Sequence, residues 1–90
     1  NLLCAYGASA KGNVLLNALK TRNSALPAVV YDDNPLKQGM LTPGTHIEIV
    51  PPTNLSHVHT LLLTSWNWEA DLKHRAHSLG FTGRFVVPHG

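Results

Sequence analysis

The sequence is poor in charge, in cysteine and in long apolar runs. Only 13% of its residues are charged, against about 25% in an average globular protein. Its lysines and arginines are scattered, so the basic patch that a nucleic-acid-binding surface requires is missing. A single cysteine, Cys4, excludes an internal disulfide framework and a zinc site built on cysteines.

Two further absences concern membranes and export. No run approaches the ~18 apolar residues of a membrane span, and no basic, apolar leader of a signal peptide is present. Disorder is excluded because 43% of the residues are hydrophobic. The 90 residues suffice for one small domain. We therefore expect one cytoplasmic domain spanning residues 1–90. Because it begins and ends in apolar runs, we expect it to be cut from a longer chain.

Short apolar runs alternate with helical patterns along the chain. A helix is predicted over residues 10–21, with its apolar stripe on Val14, Leu15, Ala18 and Leu19. A second helix is predicted over residues 67–79, with Asn67 as N-cap and a core stripe on Trp68, Leu72, Ala76 and Leu79. One helical turn is predicted at residues 51–55, and a long loop without periodicity at 36–46. The predicted strands cover residues 2–6, 28–31, 46–50, 60–64 and 84–87.

This order of elements predicts an α/β fold. The strands are apolar on both faces, as in a parallel sheet covered by helices. Right-handed crossovers then give a three-layer, Rossmann-like domain whose five parallel strands have the order 3-2-1-4-5. In such a sheet a ligand binds at the carboxyl ends of the strands where the order reverses, here between the first and fourth strands.

Two loops flank that predicted crevice. Residues 7–12 form a small-residue loop after the first strand, and residues 65–67 follow the fourth strand. The first loop suits an anion, because the helix start presents N–H groups while Ser9 adds a hydroxyl and Lys11 a positive charge. The same residues are equally compatible with a tight strand-to-helix turn and a solvated Lys11. In the second loop, we expect Trp66 to face the crevice or a neighbouring domain.

A dinucleotide-binding site is a competing interpretation. The glycine positions of the G-x-G-x-x-G fingerprint fall on Ala5, Gly7 and Ala10, so only the middle one is glycine. Asp32 follows at the end of the second strand, at about the 20-residue spacing expected of a ribose-binding acid. A nicotinamide-cofactor half-domain of an oxidoreductase therefore stays open at this point.

Other candidate constellations favour ordinary structural roles. The pairs His57 with His59 and His74 with His77 have no third ligand at a fixed spacing, so no metal site is predicted. No histidine has a serine or cysteine partner, so no catalytic residue is predicted. Cys4 is expected to be a buried small hydrophobe. Adjacent aspartates at 32 and 33 are expected to diverge and form a turn, and His46 is the histidine most worth examining for function.

Four ordered segments of the chain resemble those of one protein family. The first reads AYGASAKGN from Ala5 and continues with Leu15-Leu16-Asn17; it is similar to the family's GYGASAKGNTLLN. The others are DNPLKQG at 33–39, PGTHI at 43–47, and Ser65-Trp66-Asn67, with the closing strand FVVP at 85–88. The family that these segments resemble is the C-terminal domain of S-adenosylmethionine-dependent C-methyltransferases, including those that act on nucleotide-linked deoxysugars. The resemblance covers nearly the whole chain.

The resemblance implies a role in holding substrate. Full-length members combine a zinc-binding region, a methyltransferase core that binds S-adenosylmethionine, and this domain. The methyl donor and the catalytic base would then come from the core, and the fragment would bind no cofactor. The implied partners are that core and a nucleotide-linked sugar, with neither nucleic acid nor membrane. The implied substrate-binding residues are Gly7, Ser9, Lys11, Gly12, Asn34, Lys37, Trp66 and Asn67. A purely structural interaction domain remains an alternative.

Overall fold

A computed structural model describes residues 2–64 and 68–88 of the chain. The elements are β1 (Leu3–Tyr6), α1 (Ala10–Thr21), β2 (Val30–Tyr31), β3 (Ile49–Val50), β4 (Thr60–Leu63), α2 (Glu69–Ser78) and β5 (Arg84–Val86). They form one five-stranded sheet of order β3-β2-β1-β4-β5 in which every neighbouring pair is parallel. The predicted Rossmann-like α/β fold and strand order are therefore confirmed.

The sheet has two apolar faces because alternate side chains of a strand point to opposite sides. Along β1, Cys4 and Tyr6 belong to the core cluster that includes Ala76 of α2, whereas Ala5 belongs to the cluster that includes Leu16 of α1. One helix therefore covers each face. The α2 face is also covered by the segment before β4, whose Leu55 is fully buried. Cys4 is buried, as predicted.

The chain after β2 protects the outer edge of the sheet. Residues 39–42 fold back antiparallel to β3: the Gly39 amide donates to the Ile49 carbonyl, and the Thr42 amide to the Ile47 carbonyl. An antiparallel bridge joins Leu41 to Glu48. The predicted loop at 36–46 is therefore partly a hairpin, and β3 is shorter than predicted. An edge strand covered in this way offers no open N–H and C=O row to another chain.

Three local predictions were wrong. Residues 51–55 form no helical turn; instead the Leu55 amide donates to the Leu79 carbonyl at the end of α2. Val14 is 71% exposed, because the buried stripe of α1 passes through Gly12 and Leu16. Trp68 is 61% exposed rather than buried. It precedes the helix with φ −115° and ψ 21°, so helical spacing does not carry its side chain onto the core face.

Both helices begin at the carboxyl edge of the sheet, since each follows a parallel strand. In residues 2–64 and 68–88, neither helix is long and apolar enough to cross a membrane.

Candidate functional site at the carboxyl edge of the sheet

The loop between β1 and α1 is built around the hydroxyl of Ser9. Ser9 is the N-cap of α1: its Oγ accepts the Gly12 amide at 3.0 Å and donates to the Thr64 carbonyl at 3.1 Å. The Ser9 carbonyl accepts the Asn13 amide at 2.9 Å. A serine here satisfies helix N–H groups that have no partner within the helix. The Ser9 hydroxyl, which is predicted to meet a ligand, therefore also links the first turn of α1 to Thr64 at the end of β4.

Thr64, the residue after β4, explains two glycines: Gly7 in this loop and Gly12 in the first turn of α1. Its buried hydroxyl donates to the Tyr6 carbonyl at 2.9 Å and lies against the Gly7 carbonyl. A Cβ on Gly7 would lie 2.7 Å from Thr64 Oγ1, and one on Gly12 would lie 2.5 Å from Thr64 Cβ. Gly7 also has a φ of +105°, which L side chains rarely adopt. The glycines thus let the β1–α1 loop settle directly on the end of β4.

Two side chains from the segment after β2 hold the loop at Ala8. Asp32 Oδ2 accepts the Ala8 amide at 2.7 Å, and its Oδ1 accepts the Asn34 amide at 2.8 Å. Lys37 Nζ donates to the Ala8 carbonyl at 2.5 Å. The Gln38 side-chain amide donates to the Asp32 carbonyl at 2.8 Å, which fixes the turn that carries both charges. The loop is therefore anchored through both the amide and the carbonyl of Ala8.

Asp33 points to a different set of partners. Its Oδ2 accepts the Tyr6 hydroxyl at 2.8 Å, and its Oδ1 lies 3.3 Å from an Arg75 nitrogen on α2. Burial of Tyr6, followed by its hydrogen bond to the Asp33 carboxylate, raises the pKa of the phenol above its ordinary value. Hydrogen bonding to Tyr6 and the charge of Asp33 raise the pKa of Arg75. The two aspartates thus diverge, one holding the β1–α1 loop and the other holding α2.

Two cavities lie on opposite sides of the β1–α1 loop. The first, of about 290 Å³, lies between α1 and the 42–43 turn and is largely apolar, with Leu16, Val30 and Ile49 in its wall. The second, of about 270 Å³, lies at the predicted switch point. We call the second cavity the crevice. It is lined by Gly7, Ala8, Ser9, Asp32, Lys37, Trp68 and Leu72.

The structure brings together some of the predicted substrate-binding residues. Gly7 and Ser9 line both cavities, Lys37 lines the crevice, and Gly12 lines the apolar cavity. Lys11 is exposed in the first turn of α1. Asn34 lines neither cavity; its side-chain oxygen accepts the Leu36 amide at 3.0 Å and stabilises a turn. Trp66 and Asn67, and the predicted N-cap role of Asn67, lie outside the described residues.

Sequence reasoning missed three residues of this edge. Thr64 gave no signal beyond a polar residue after a run of leucines, and its contact with the glycines is a tertiary feature. The sequence predicts Asp32 only as a ribose ligand or a turn former, whereas the structure shows that it also holds the Ala8 amide. Trp68 is predicted to lie in the core, yet it lines the crevice. The Ser9 cap was detectable, since serine before a helix is a common N-cap.

The histidines add no metal site within residues 2–64 and 68–88, where no group of three or more metal-binding side chains occurs. His46 is exposed and has a φ of +56° in the turn after Pro43 and Gly44. Its amide donates to the Thr42 carbonyl at 2.8 Å, so its backbone closes that turn.

A family model described as the C-methyltransferase C-terminal domain matches residues 1–89 of the chain. The chain belongs to this family. A search of curated proteins found no match.

Three segments that carry the family resemblance are in contact in this C-methyltransferase C-terminal domain: the one from Ala5, DNPLKQG and PGTHI. Lys37 of the DNPLKQG segment donates to the carbonyl of Ala8. Asn17 donates to the Pro43 carbonyl at 3.1 Å, and Lys20, one turn later on α1, donates to the Gly44 carbonyl at 2.8 Å. Three of the segments are therefore linked by side-chain hydrogen bonds to backbone carbonyls, whereas Ser65-Trp66-Asn67 lies outside the described residues.

Proposed function

We propose that this C-methyltransferase C-terminal domain holds a nucleotide-linked sugar, with the substrate's phosphates at the start of α1. The observation that carries the proposal is the chemistry of that helix start. The first turn of α1 contains no acidic residue and contains Lys11, and a helix N-terminus attracts anions through its dipole and its N–H groups. This start lies beside the crevice, which Ser9 also lines.

The contacts of the loop indicate where an anion would lie. The Ala8 amide is occupied by the Asp32 carboxylate, and the Gly12 and Asn13 amides are occupied by Ser9. The first turn of α1 presents the positive end of the helix dipole, and Lys11 adds a positive charge there. We expect a phosphate to approach this turn on the side away from Asp32, whose negative charge would repel it.

The proposal assigns the methyl-transfer chemistry to another part of the parent enzyme. S-adenosylmethionine and the catalytic base would be supplied by a methyltransferase core domain, and this domain would bind no cofactor of its own. Large exposed apolar side chains support a covering partner: Leu36 is 84%, Met40 57% and Leu41 53% exposed, all on one short segment. A cytoplasmic location stays a prediction.

Calorimetric titration of the 90-residue chain with UDP tests the proposal. We expect millimolar or tighter binding, and Lys11→Ala should weaken it several-fold, because a point charge beside the phosphates is lost. Arg22→Ala is the matched control, since it removes the same charge from the opposite end of α1. No binding of UDP to the folded chain at high millimolar concentration would contradict the proposal.

A second measurement separates the alternatives. NADH binding is measured by the fluorescence of NADH. If NADH binds more strongly than UDP, the dinucleotide half-domain is favoured. In the full-length enzyme, Lys11→Ala should raise the KM for the sugar nucleotide. An unchanged KM and an unchanged kcat would instead favour a purely structural domain.

A further inference from the structure

Trp68 is the most exposed of the large aromatic residues in the part of the chain that the structure describes. Tyr6, Tyr31 and Phe81 are buried, whereas 61% of Trp68 is exposed. Its side chain lines the crevice together with Leu72, which lies one helical turn later. Indole is the largest apolar surface a side chain can offer, and aromatic faces left open beside a cavity are suited to planar ligands.

The crevice has different chemistry on its two sides. Trp68 and Leu72 approach from the β4 side and are apolar, whereas Asp32 and Lys37 approach from the β2 side and are charged. The loop of Gly7, Ala8 and Ser9 lies between them, because β1 lies between β2 and β4. A ligand in this space would meet an aromatic face on one side and charged hydrogen-bonding groups on the other.

Asp32 keeps acceptor capacity for a ligand. Each of its carboxylate oxygens accepts one backbone amide, from Ala8 and from Asn34. A carboxylate offers about four acceptor positions in all, so two remain for ligand hydroxyl or N–H groups. The two backbone bonds also hold the carboxylate in one orientation, which lowers the entropy lost when a ligand binds.

The size of the crevice limits what it can hold. Its volume is about 270 Å³, slightly below the range of about 300–1,000 Å³ for pockets that enclose a drug-sized ligand. It is suited to one ring system rather than to a whole nucleotide-linked sugar. The remainder of such a ligand would extend along the loop toward α1.

We propose that Trp68 and Asp32 form a ring-binding subsite in which a ring of the substrate stacks on the indole and its hydroxyl or N–H groups donate to the carboxylate. The subsite rests on the function proposed above, because it needs a substrate whose phosphates lie at α1. A nucleoside and a hexose both offer an apolar ring face with hydroxyl or N–H donors at its edge. Comparison of UDP with UDP-glucose distinguishes these two sources of the ring.

Nuclear magnetic resonance on the ¹⁵N-labelled chain tests this subsite. The indole N–H peak of Trp68 is assigned by its loss in Trp68→Phe. The probes are inorganic pyrophosphate, UDP and UDP-glucose. We expect pyrophosphate to shift the Lys11 and Gly12 amides but not the indole. UDP should shift the indole as well if the nucleoside stacks, and only UDP-glucose should do so if the hexose stacks.

Affinities of variants complete the test. Trp68→Ala should weaken binding of the stacking probe about tenfold, the size expected for one stacked ring, and leave pyrophosphate binding unchanged. Trp68→Phe should restore much of the affinity. Asp32→Asn should weaken the same probe while helping pyrophosphate slightly. Leu36→Ala, which truncates another exposed apolar residue, is the matched control and should have no effect.

The two proposals fail in different ways. If UDP and UDP-glucose shift the α1 amides but leave the Trp68 indole and the Trp68→Ala affinity unchanged, the ring-binding subsite is wrong and the phosphate site stands. If no probe shifts the α1 amides, the proposed function is wrong. Indole shifts without α1 shifts would then show that the crevice binds rings independently of a phosphate site, which contradicts the arrangement proposed here.

Discussion

The two helices begin at the same edge of the sheet but differ in almost every property of their first turn. α1 begins with a serine cap, has no acidic residue in its first turn, and carries Lys11 there. The N-cap of α2, Trp68, makes no side-chain cap hydrogen bond, and Glu69 and Asp71 lie in the first turn of α2. Both positions carry the positive end of a helix dipole. In α2 that end is compensated by the chain's own carboxylates, whereas the first turn of α1 supplies none.

Position in a Rossmann-like sheet therefore does not by itself make a helix start suitable for an anion. Both helix starts border the switch point, but among the described residues the first turn of α1 carries a lysine and no acid, whereas that of α2 carries two acids. The start of α2 contributes an exposed indole to the same crevice. The edge is thus divided into a region suited to charge and a region suited to a ring.

The largest effect is expected from a change that lifts the α1 start away from β4. Gly12→Ala would place a Cβ 2.5 Å from Thr64 Cβ. We expect the free energy of unfolding in urea to fall by about 2–3 kcal/mol, as for other overpacked sites. Val14→Ala, on the exposed side of the same helix, should change it by less than about 0.5 kcal/mol. Equal stabilities for the two variants would show that Thr64 does not fix the loop.

The attachment of α2 should be the next most sensitive feature. Tyr6→Phe removes the hydrogen bond to the Asp33 carboxylate and should cost about 2 kcal/mol at pH 7, since bonds to charged acceptors are among the stronger ones. Arg75→Ala should cost less, because its pair with Asp33 is half exposed. Urea unfolding of both variants measures the difference, and a larger loss from Arg75→Ala would contradict this order.

The same hydrogen bond predicts a pH dependence. The pKa of Tyr6 is raised in the folded protein, so its stabilisation is complete below the ordinary tyrosine value of about 10 and is lost as the pH rises through the folded value. Burial, followed by the charge of Cys4, also raises the pKa of Tyr31, to about 12, and that contribution persists in Tyr6→Phe. Urea melts of the two proteins should therefore converge above pH 10. A constant difference would contradict this assignment.

The comparison of the helix starts predicts unequal responses to truncation. Ser9→Ala removes the cap of α1 and should lower stability by about 1 kcal/mol. Trp68 is the equivalent position of α2, but its side chain is exposed and makes no cap hydrogen bond. Trp68→Ala should therefore change the melting temperature little. Equal losses from the two substitutions would show that the helix starts are not differently built.

The smallest effect is expected from the charge of the α2 start. Glu69→Gln breaks the ion pair with Lys73, at 2.8 Å on a partly exposed helix surface. We expect a loss of about 0.3 kcal/mol, as for other i,i+4 pairs, and a smaller loss at high salt. Asp71→Asn is the control, because it removes a negative charge from the same first turn and leaves that pair intact. Equal losses from the two variants would assign the effect to the helix dipole and not to the pair.

The sequence predicted the architecture well because strand order follows from general rules of handedness and from apolar runs. It predicted α1 to the residue, since Ala10–Thr21 is the helix observed. Predictions failed where tertiary contacts decide the outcome. β3 is short because Ile47 pairs with Thr42 in a hairpin, and Trp68 is exposed because it precedes the helix. Such pairings leave no periodic signal.

Prediction of the site was limited by the same cause. Composition and spacing predicted a site at the carboxyl edge of the sheet, at residues 7–12, and that site stays a prediction. They could not show that Lys37 bonds to the Ala8 carbonyl or that Asn34 caps its own turn. A polar side chain in a motif can hold a loop, bind a ligand, or do both. Only the folded geometry shows which of these side chains hold a loop.

We propose that phosphate binds at the start of α1 and not at the start of α2. Titration of the ¹⁵N-labelled chain with inorganic pyrophosphate measures both helix starts at once through their backbone amides. We expect saturable shifts of the Ala10, Lys11 and Gly12 amides, with the Ala70 and Asp71 amides unmoved. Larger shifts at Ala70 and Asp71 than at Lys11, or no saturable shift at either helix, would contradict it.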